Sequence, residues 1–206
     1  MYSTRSGLIL GFHGCDKAIV DDVLTGQTSL KASTNKYDWL GHGIYFWDNS
    51  PARALDFATY LKNHPQKRSR QPITTAAVIG AVINLGFCLD LLDFENLQFL
   101  KQGHDILSFS HSASGWSLPK NKVAGSTEDL LLRELDCAVI ETIHQVRRDN
   151  NLRPFDSIRG VFWEGKELYP NAGFREKDHI QICVRNPNCI KGYFSPRVAD
   201  EKYAIV

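Results

Sequence analysis

The sequence predicts one mixed α+β domain. Short apolar, β-rich runs at residues 8–12, 43–47, 76–92, 158–163 and 179–184 are interleaved with segments that carry helix caps and helical apolar spacing. At 206 residues and 43% hydrophobic, the chain can bury one ordinary core. No internal repeat or low-complexity tract divides it, so a single domain over residues 1–206 is the expectation.

The elements follow in order. Residues 8–12 read as a short buried strand ending at His13. Residues 16–24 read as a helix: Asp16 caps it, Ile19, Val20, Val23 and Leu24 form one face, and Gly26 ends it. Residues 33–40, STNKYDWL, form an aromatic loop before the strand 43–47. Asn49 or Ser50 caps the next helix, which has Pro51 in its first turn and Ala54, Leu55, Ala58 and Leu61 turned inward. Residues 62–72, KNHPQKRSRQP, make a polar, basic loop, either plainly solvated or in contact with phosphate groups of a substrate. The β-rich run 76–92 is broken by Gly80 and Gly86. Phe94, Leu97 and Leu100 suggest a helix, after which residues 108–126 read as a loop, unusually long unless functional. The clearest helix spans 127–148, with Ser126 or Thr127 as cap, Glu128 and Asp129 in its first turn, and Arg147 and Arg148 near its end. Residues 158–163 and 179–184 read as the last two strands, and 193–206 carry no predicted element.

Bulk properties exclude some function classes. A formal net charge of +1 gives no global field toward nucleic acid or membrane. No stretch approaches the roughly 18 apolar residues a membrane span needs, and the run before His13 is too short for a signal peptide. Cys15, Cys88, Cys137, Cys183 and Cys189 show no CxxC or His/Cys spacing that reads as zinc, so reduced thiols of a cytoplasmic protein, and no metal, are expected.

Residues 11–58 hold the chemistry. His13-Gly14 closes an apolar run, and Gly41-His42-Gly43-Ile44-Tyr45-Phe46 follows, then an Ala-rich helix with Ala52, Ala54 and Ala58. Together these residues resemble the NAD-binding core of the ADP-ribosyltransferases, on the branch of diphtheria toxin and the poly(ADP-ribose) polymerases. The resemblance covers residues 8–60 well and 76–92 and 158–194 roughly; the middle is not aligned. It implies an α+β fold of two small, mostly antiparallel sheets packed at an angle, with helices around them, NAD in the cleft between them, and His13 and Tyr45 facing each other across it. It also implies NAD as co-substrate and cleavage of the nicotinamide–ribose bond through an oxocarbenium-like transition state, as in glycoside cleavage. The residue types suit that chemistry. A histidine after a strand hydrogen-bonds ribose hydroxyls, a glycine beside it admits the nicotinamide amide, and a tyrosine on the next strand offers a stacking face.

The departures from the family pattern are specific. The family's third catalytic residue is a glutamate at the start of a late strand, and the best match is Gln181-Ile182-Cys183-Val184-Arg185-Asn186-Pro187, which makes a His13, Tyr45, Gln181 set with Asn186 in place of an aspartate. Gln181 keeps hydrogen bonding but lacks charge. Glu176 or Glu164 are the carboxylates that would substitute, and a chain with no catalytic third residue is the remaining alternative. His179 lies two residues before Gln181, on the same face. Arg53 stands where the polymerases carry an amide-binding serine and Asp56 where they carry a second stacking tyrosine, so Tyr37 or Phe57 would do that stacking. Trp39, Trp47 and Trp163 read as core or rim packing, and His42, His104, His111 and His144 as ordinary polar residues.

The resemblance thus leads to a mono-ADP-ribosyltransferase acting on an acceptor protein, nucleic acid or small molecule. A self-contained catalytic domain would fit a bacterial toxin, effector or defence enzyme, which would then have a neutralising partner protein. The alternatives are an NAD glycohydrolase, a catalytically silent NAD- or ADP-ribose-binding module, and the RNA 2′-phosphotransferase branch, against which the neutral charge argues.

Overall fold

A computed structural model describes residues 7–65, 72–124 and 129–204. Strand β1 (Ile9–Asp16) leads directly into helix α1 (Lys17–Leu24), because the Asp16 side chain accepts from Ala18 N at 2.9 Å and so caps the helix. The strand therefore runs through His13 rather than ending there. Gly26, at φ +76°, follows α1. Strand β2 (Ile44–Asp48) and helix α2 (Pro51–Asn63) follow, with Pro51 opening the helix. Ala54 and Ala58 are the buried residues of α2, whereas Leu55 points outward at 43% exposure, contrary to its expected inward position. The part of the basic loop at residues 66–71 lies outside the described residues.

The glycine-broken run forms β3 (Ala76–Ile83) and β4 (Cys88–Asp90). The middle of the chain differs most from expectation. Helix α3 (Leu97–Ala113) includes the Ser/His-rich residues 108–113 that read as loop. It buries only Gly103 and Leu107, and Gly103 lets it approach Ile143 so closely that an added Cβ would lie 2.6 Å from that side chain. Strands β5 (Asn121–Lys122) and β6 (Leu132–Arg133) pair as a small separate ribbon. Helix α4 (Glu134–Asp149) consequently starts later than 127, and the expected caps Ser126 and Thr127 lie outside the described residues. Its first amides are met from a distance: Asn121 Oδ1 accepts from Leu135 N at 2.9 Å and Asp136 N at 3.3 Å. Strands β7 (Ser157–Phe162) and β8 (His179–Val184) lie where expected, and β9 (Ile190–Phe194) adds an element in the tail.

Seven strands form one sheet in the order β4-β7-β8-β2-β1-β3-β9, antiparallel except for β4 beside β7. The expected pair of sheets is thus one sheet, with a narrow seam at its centre. β1 meets β2 only at Gly11–Asp48 and Phe12–Trp47, then follows β3 for its whole length from Ile9–Ile83 to Asp16–Ala76. Period-two alternation sorts the side chains. Ile44 and Phe46 join Ile79, Ile83 and Ile182 in the core on the α1 side. Tyr45 and Trp47 face the other side, Tyr45 toward the α4 core and Trp47 toward Phe12, Ala54 and Phe57. Phe46, with no exposed surface, contributes on the order of 2–3 kcal/mol by burial alone. Among the described residues no helix is long and apolar enough to cross a membrane, and all five cysteines are free.

Candidate active site

Past Phe12–Trp47 the central strands part, and His13 fills the opening. Its Nδ1 lies 2.8 Å from Tyr45 O, and its ring stands edge-on to Phe46 at 6.0 Å. A carbonyl only accepts, so Nδ1 carries the hydrogen and Nε2 keeps its lone pair. Burial lowers the His13 pKa, against the opposing pull of the bond to Tyr45 O, and favours the neutral ring. Gly14 faces α2, where an added Cβ would sit 2.0 Å from Ala54 O. The glycine of the His-Gly pair therefore lets α2 pack on β1.

Tyr45 touches His13 through its backbone, but its side chain turns away. The hydroxyl accepts from Leu40 N at 2.8 Å and donates to Gly41 O at 2.7 Å, and the half-buried ring packs on the core under α4. The two side chains do not confront each other across an open cleft; Tyr45 braces the turn at Gly41. That turn needs its glycines. Gly41 has φ +74°, and a Cβ on Gly43 would lie 2.5 Å from Cys183 Sγ. Tyr37 is half-buried in the preceding loop, which Asp38 fastens by accepting from Asn35 N at 2.9 Å and Ser33 Oγ at 3.0 Å. Phe57 packs against Trp47, ring centroids 5.1 Å apart.

Gln181 stands on β8 opposite Trp47 of β2 and Gly160 of β7. Strands lie about 4.8 Å apart, so its backbone is roughly 10 Å from Phe12, one residue from His13. The Gln181 side chain is half-buried, shares the face of Trp47 and His179, and has no hydrogen-bond partner among the described residues. Of the two carboxylates weighed beside it, Glu164 belongs to this face: both its oxygens accept from Arg53 Nη2 at 2.9 Å. Glu176 is exposed, with Lys166 N as its partner at 3.3 Å. Asn186 caps a 3₁₀ turn and donates to Asp156 Oδ1 at 2.8 Å, a structural corner.

Around Gln181 lies a group of polar atoms that no local sequence signal announces. Arg53 sits 5.7 Å from the Trp47 ring centroid and also bonds Asp56 at 3.0 Å. His179 packs against Trp39, Trp47 and Phe162, and its Nδ1 meets Lys177 O at 2.5 Å. Burial lowers the His179 pKa, the bond to Lys177 O opposes that, and Arg53 lowers it further. Trp47 Nε1, Arg53 Nε and His179 Nε2 are buried without a partner among the described residues. The legible marks of this cluster were the departure of Arg53 from the family pattern and the place of His179 on the face of Gln181. A separate cavity of about 550 Å³ lies between β7, α3 and α4, lined by Trp39, Leu97, Leu100, Arg133 and Phe162 among others. Trp39 and Phe162, 4.4 Å apart, line it and also touch His179. Compared with protein-family models, curated proteins and solved structures, the chain matches none.

Proposed function

We propose that the chain is an NAD-dependent mono-ADP-ribosyltransferase that cleaves the nicotinamide–ribose bond and transfers ADP-ribose to a macromolecular acceptor. One observation carries this reading: His13, Tyr45 and Gln181, distant in sequence, occupy three neighbouring strands, β1, β2 and β8, at the seam of the sheet. His13 Nε2 is a fixed acceptor for a ribose hydroxyl, since its other nitrogen is held by Tyr45 O. The free amide of Gln181, which shares the face of Phe12 and Trp47 rather than that of His13, keeps a donor and an acceptor for a polar ligand on that side of the sheet. Buried polar atoms without partners beside Gln181 fit a site that takes a polar ligand. Bound NAD would supply the activated glycosidic bond. The residues of this chain hold the ribose, orient it and limit water.

The uncharged Gln181 favours a second reading, a silent NAD- or ADP-ribose-binding module, and the same site would serve an NAD glycohydrolase. Incubation with NAD labelled in the adenosine half, with and without cell lysate, separates them. Nicotinamide release with label on material removed by protease or nuclease supports transfer and names the acceptor class. Release without retained label indicates hydrolysis, binding without release indicates the module, and neither binding nor release overturns the reading.

A further inference from the structure

We propose that the cavity between β7, α3 and α4 is a binding site for an aliphatic carboxylate, a fatty acid with its chain in the cavity and its head at Arg133. None of His13, Tyr45 and Gln181 lines this cavity, and the proposal does not depend on the use of NAD.

The cavity follows from how α3 docks. α3 meets α4 at Gly103, where an added Cβ would lie 2.6 Å from Ile143, and its buried Leu107 joins the same core. Toward their N-terminal turns the two helices diverge. There Leu97 and Leu100 of α3 and Leu135 and Val139 of α4 line a space of about 550 Å³. Small-molecule sites span roughly 300–1,000 Å³. A Cβ on Gly160 would sit 3.1 Å from Leu40 and 3.7 Å from Leu91, both in the lining, so this glycine keeps the space open. Leu97 and Val161 line the cavity and are still 41% and 56% exposed. The cavity therefore opens to solvent and leaves apolar surface wet, and covering that surface is favourable in proportion to its area.

The walls select the chain. Leucine, isoleucine and valine dominate them. The two aromatic rings are already engaged: Trp39 and Phe162 lie 4.4 Å apart, and Arg133 covers Trp39 at 4.3 Å from its centroid. Trp39 Nε1 donates to Leu131 O at 3.0 Å. No side-chain nitrogen or oxygen of the lining is buried and unmet among the described residues. A sugar or a base would lose its hydrogen bonds to water here without replacement, and a flat ring would find no free face to stack on. A hydrocarbon chain needs neither.

Arg133 selects the head. Its Nε donates to Leu130 O at 2.9 Å and its Nη1 faces Asp136 at 3.4 Å, while Nη2 meets no acceptor among the described residues. Asp136 is the one carboxylate of the described lining, and its Oδ1 already accepts from Asn121 at 2.9 Å. Lys101 lines the cavity from α3. Its bond to Asp105 joins side chains 73% and 60% exposed, a weak kind of pair that leaves the ammonium available. Two cations thus face one satisfied carboxylate, which favours an anionic head over a neutral or cationic one.

The test is calorimetric titration of the whole chain at neutral pH with decanoate, decanol, decyltrimethylammonium and naphthoate, each below its micelle-forming concentration. Decanoate is expected to bind. Decanol, with the same chain and no charge, and naphthoate, with the charge on a flat ring, should each bind about tenfold or more weaker, as for one lost charged hydrogen bond or its equivalent in contact. The cationic amphiphile should not bind detectably. Arg133→Met keeps an apolar stem, removes the charge and should weaken decanoate about tenfold while leaving decanol unchanged. Leu97→Trp, at a half-exposed position, fills the cavity and should abolish binding of both. Thermal melting reports that each variant is folded. If one variant does not fold, the other and the comparison of head groups on the unaltered chain still decide. Decanol or naphthoate binding as tightly as decanoate, unaltered decanoate affinity in a folded variant, or no decanoate binding at all overturns the proposal.

Discussion

Two arginines with well-paired guanidinium groups lie against the same sheet, one on a strand and one on a helix, and they differ in one respect. Arg159 on β7, 4% exposed, reaches across β8 to Asp48 with Nε at 2.9 Å and Nη2 at 2.8 Å, while its Nη1 faces Asp90 at 3.4–3.5 Å. Its nitrogens all meet carboxylates, and the cluster ties β2, β7 and β4 together. Arg53 on α2 has equally good bonds to Glu164, yet its Nε is unmet and so are the nearest nitrogens of Trp47 and His179. A closed network fixes a scaffold, whereas an open one leaves hydrogen-bonding capacity for something else. The contrast distinguishes structure from recognition within one residue type.

The sharpest way to break this comparison is Arg159→Ala. Removing Arg159 leaves the Asp48 carboxylate without its guanidinium, and a loss of about 3–5 kcal/mol is expected in urea unfolding. Adding Asp48→Asn and Asp90→Asn to an Arg159→Leu chain should recover part of that loss. A loss below about 1 kcal/mol, the range of exposed pairs, would show that Arg159 is not the closed scaffold described.

His144 sharpens the comparison from another side. It is fully buried on α4, both ring nitrogens lack partners among the described residues, and Phe155 stands edge-on at 5.8 Å. Burial first, then Arg185, lowers its pKa from 6.5 to about 4. The unfolded chain therefore takes up a proton below about pH 6.5 that the folded chain refuses until about pH 4. Stability falls as pH drops through that window, by roughly 3 kcal/mol at its acid end. His144→Leu should flatten the decline, read as urea midpoints between about pH 7 and about pH 4.5. An unchanged slope in the variant would mean that other groups carry the acid lability.

Legibility followed the range of the interactions. The segment from β1 to α2 was readable because its signals are local: Asp16 caps α1, Gly26 follows it, and Pro51 opens α2. β8 was readable from its β-branched residues Ile180, Ile182 and Val184, with the expected bounds. The start of α4 was not, since its cap comes from Asn121, thirteen residues upstream of Glu134. The second half of α3 was hidden by exposed serines and histidines that also suit a loop. The single sheet was hidden because its seam rests on two residue pairs. In the candidate site, His13 and Gln181 were legible as motif positions. The Arg53–Glu164 pair joins residues 111 apart and left no periodic trace. The inward turn of Tyr45 depends on Leu40 and Gly41 meeting its hydroxyl, which strand alternation alone does not reveal.

His13 stands between scaffold and site. His13→Ala removes the hydrogen bond to Tyr45 O, and about 1 kcal/mol of stability should go with it. The same substitution should abolish nicotinamide release from NAD, because the ribose loses its fixed acceptor. Retained release in a folded variant would leave His13 as a brace for the seam and remove it from the site.

Gln181 should show the smallest effect on stability. It is half-buried and its amide has no partner among the described residues, so Gln181→Ala should change the melting temperature little. Its effect on turnover should be large in proportion, about 10²- to 10³-fold, the usual loss when one preorganised polar group at a transition state is removed. Gln181→Glu separates hydrogen bonding from charge. A carboxylate there stabilises positive charge growing on the ribose, so NAD cleavage should be preserved or raised. Were Gln181→Glu inactive while Glu164→Gln also abolished release, the charge would come from the Arg53–Glu164 pair, and β8 would contribute only orientation. Were all three variants to release nicotinamide like the unaltered chain, the open network at β8 would have no part in the chemistry, and the contrast with Arg159 would lose its functional meaning.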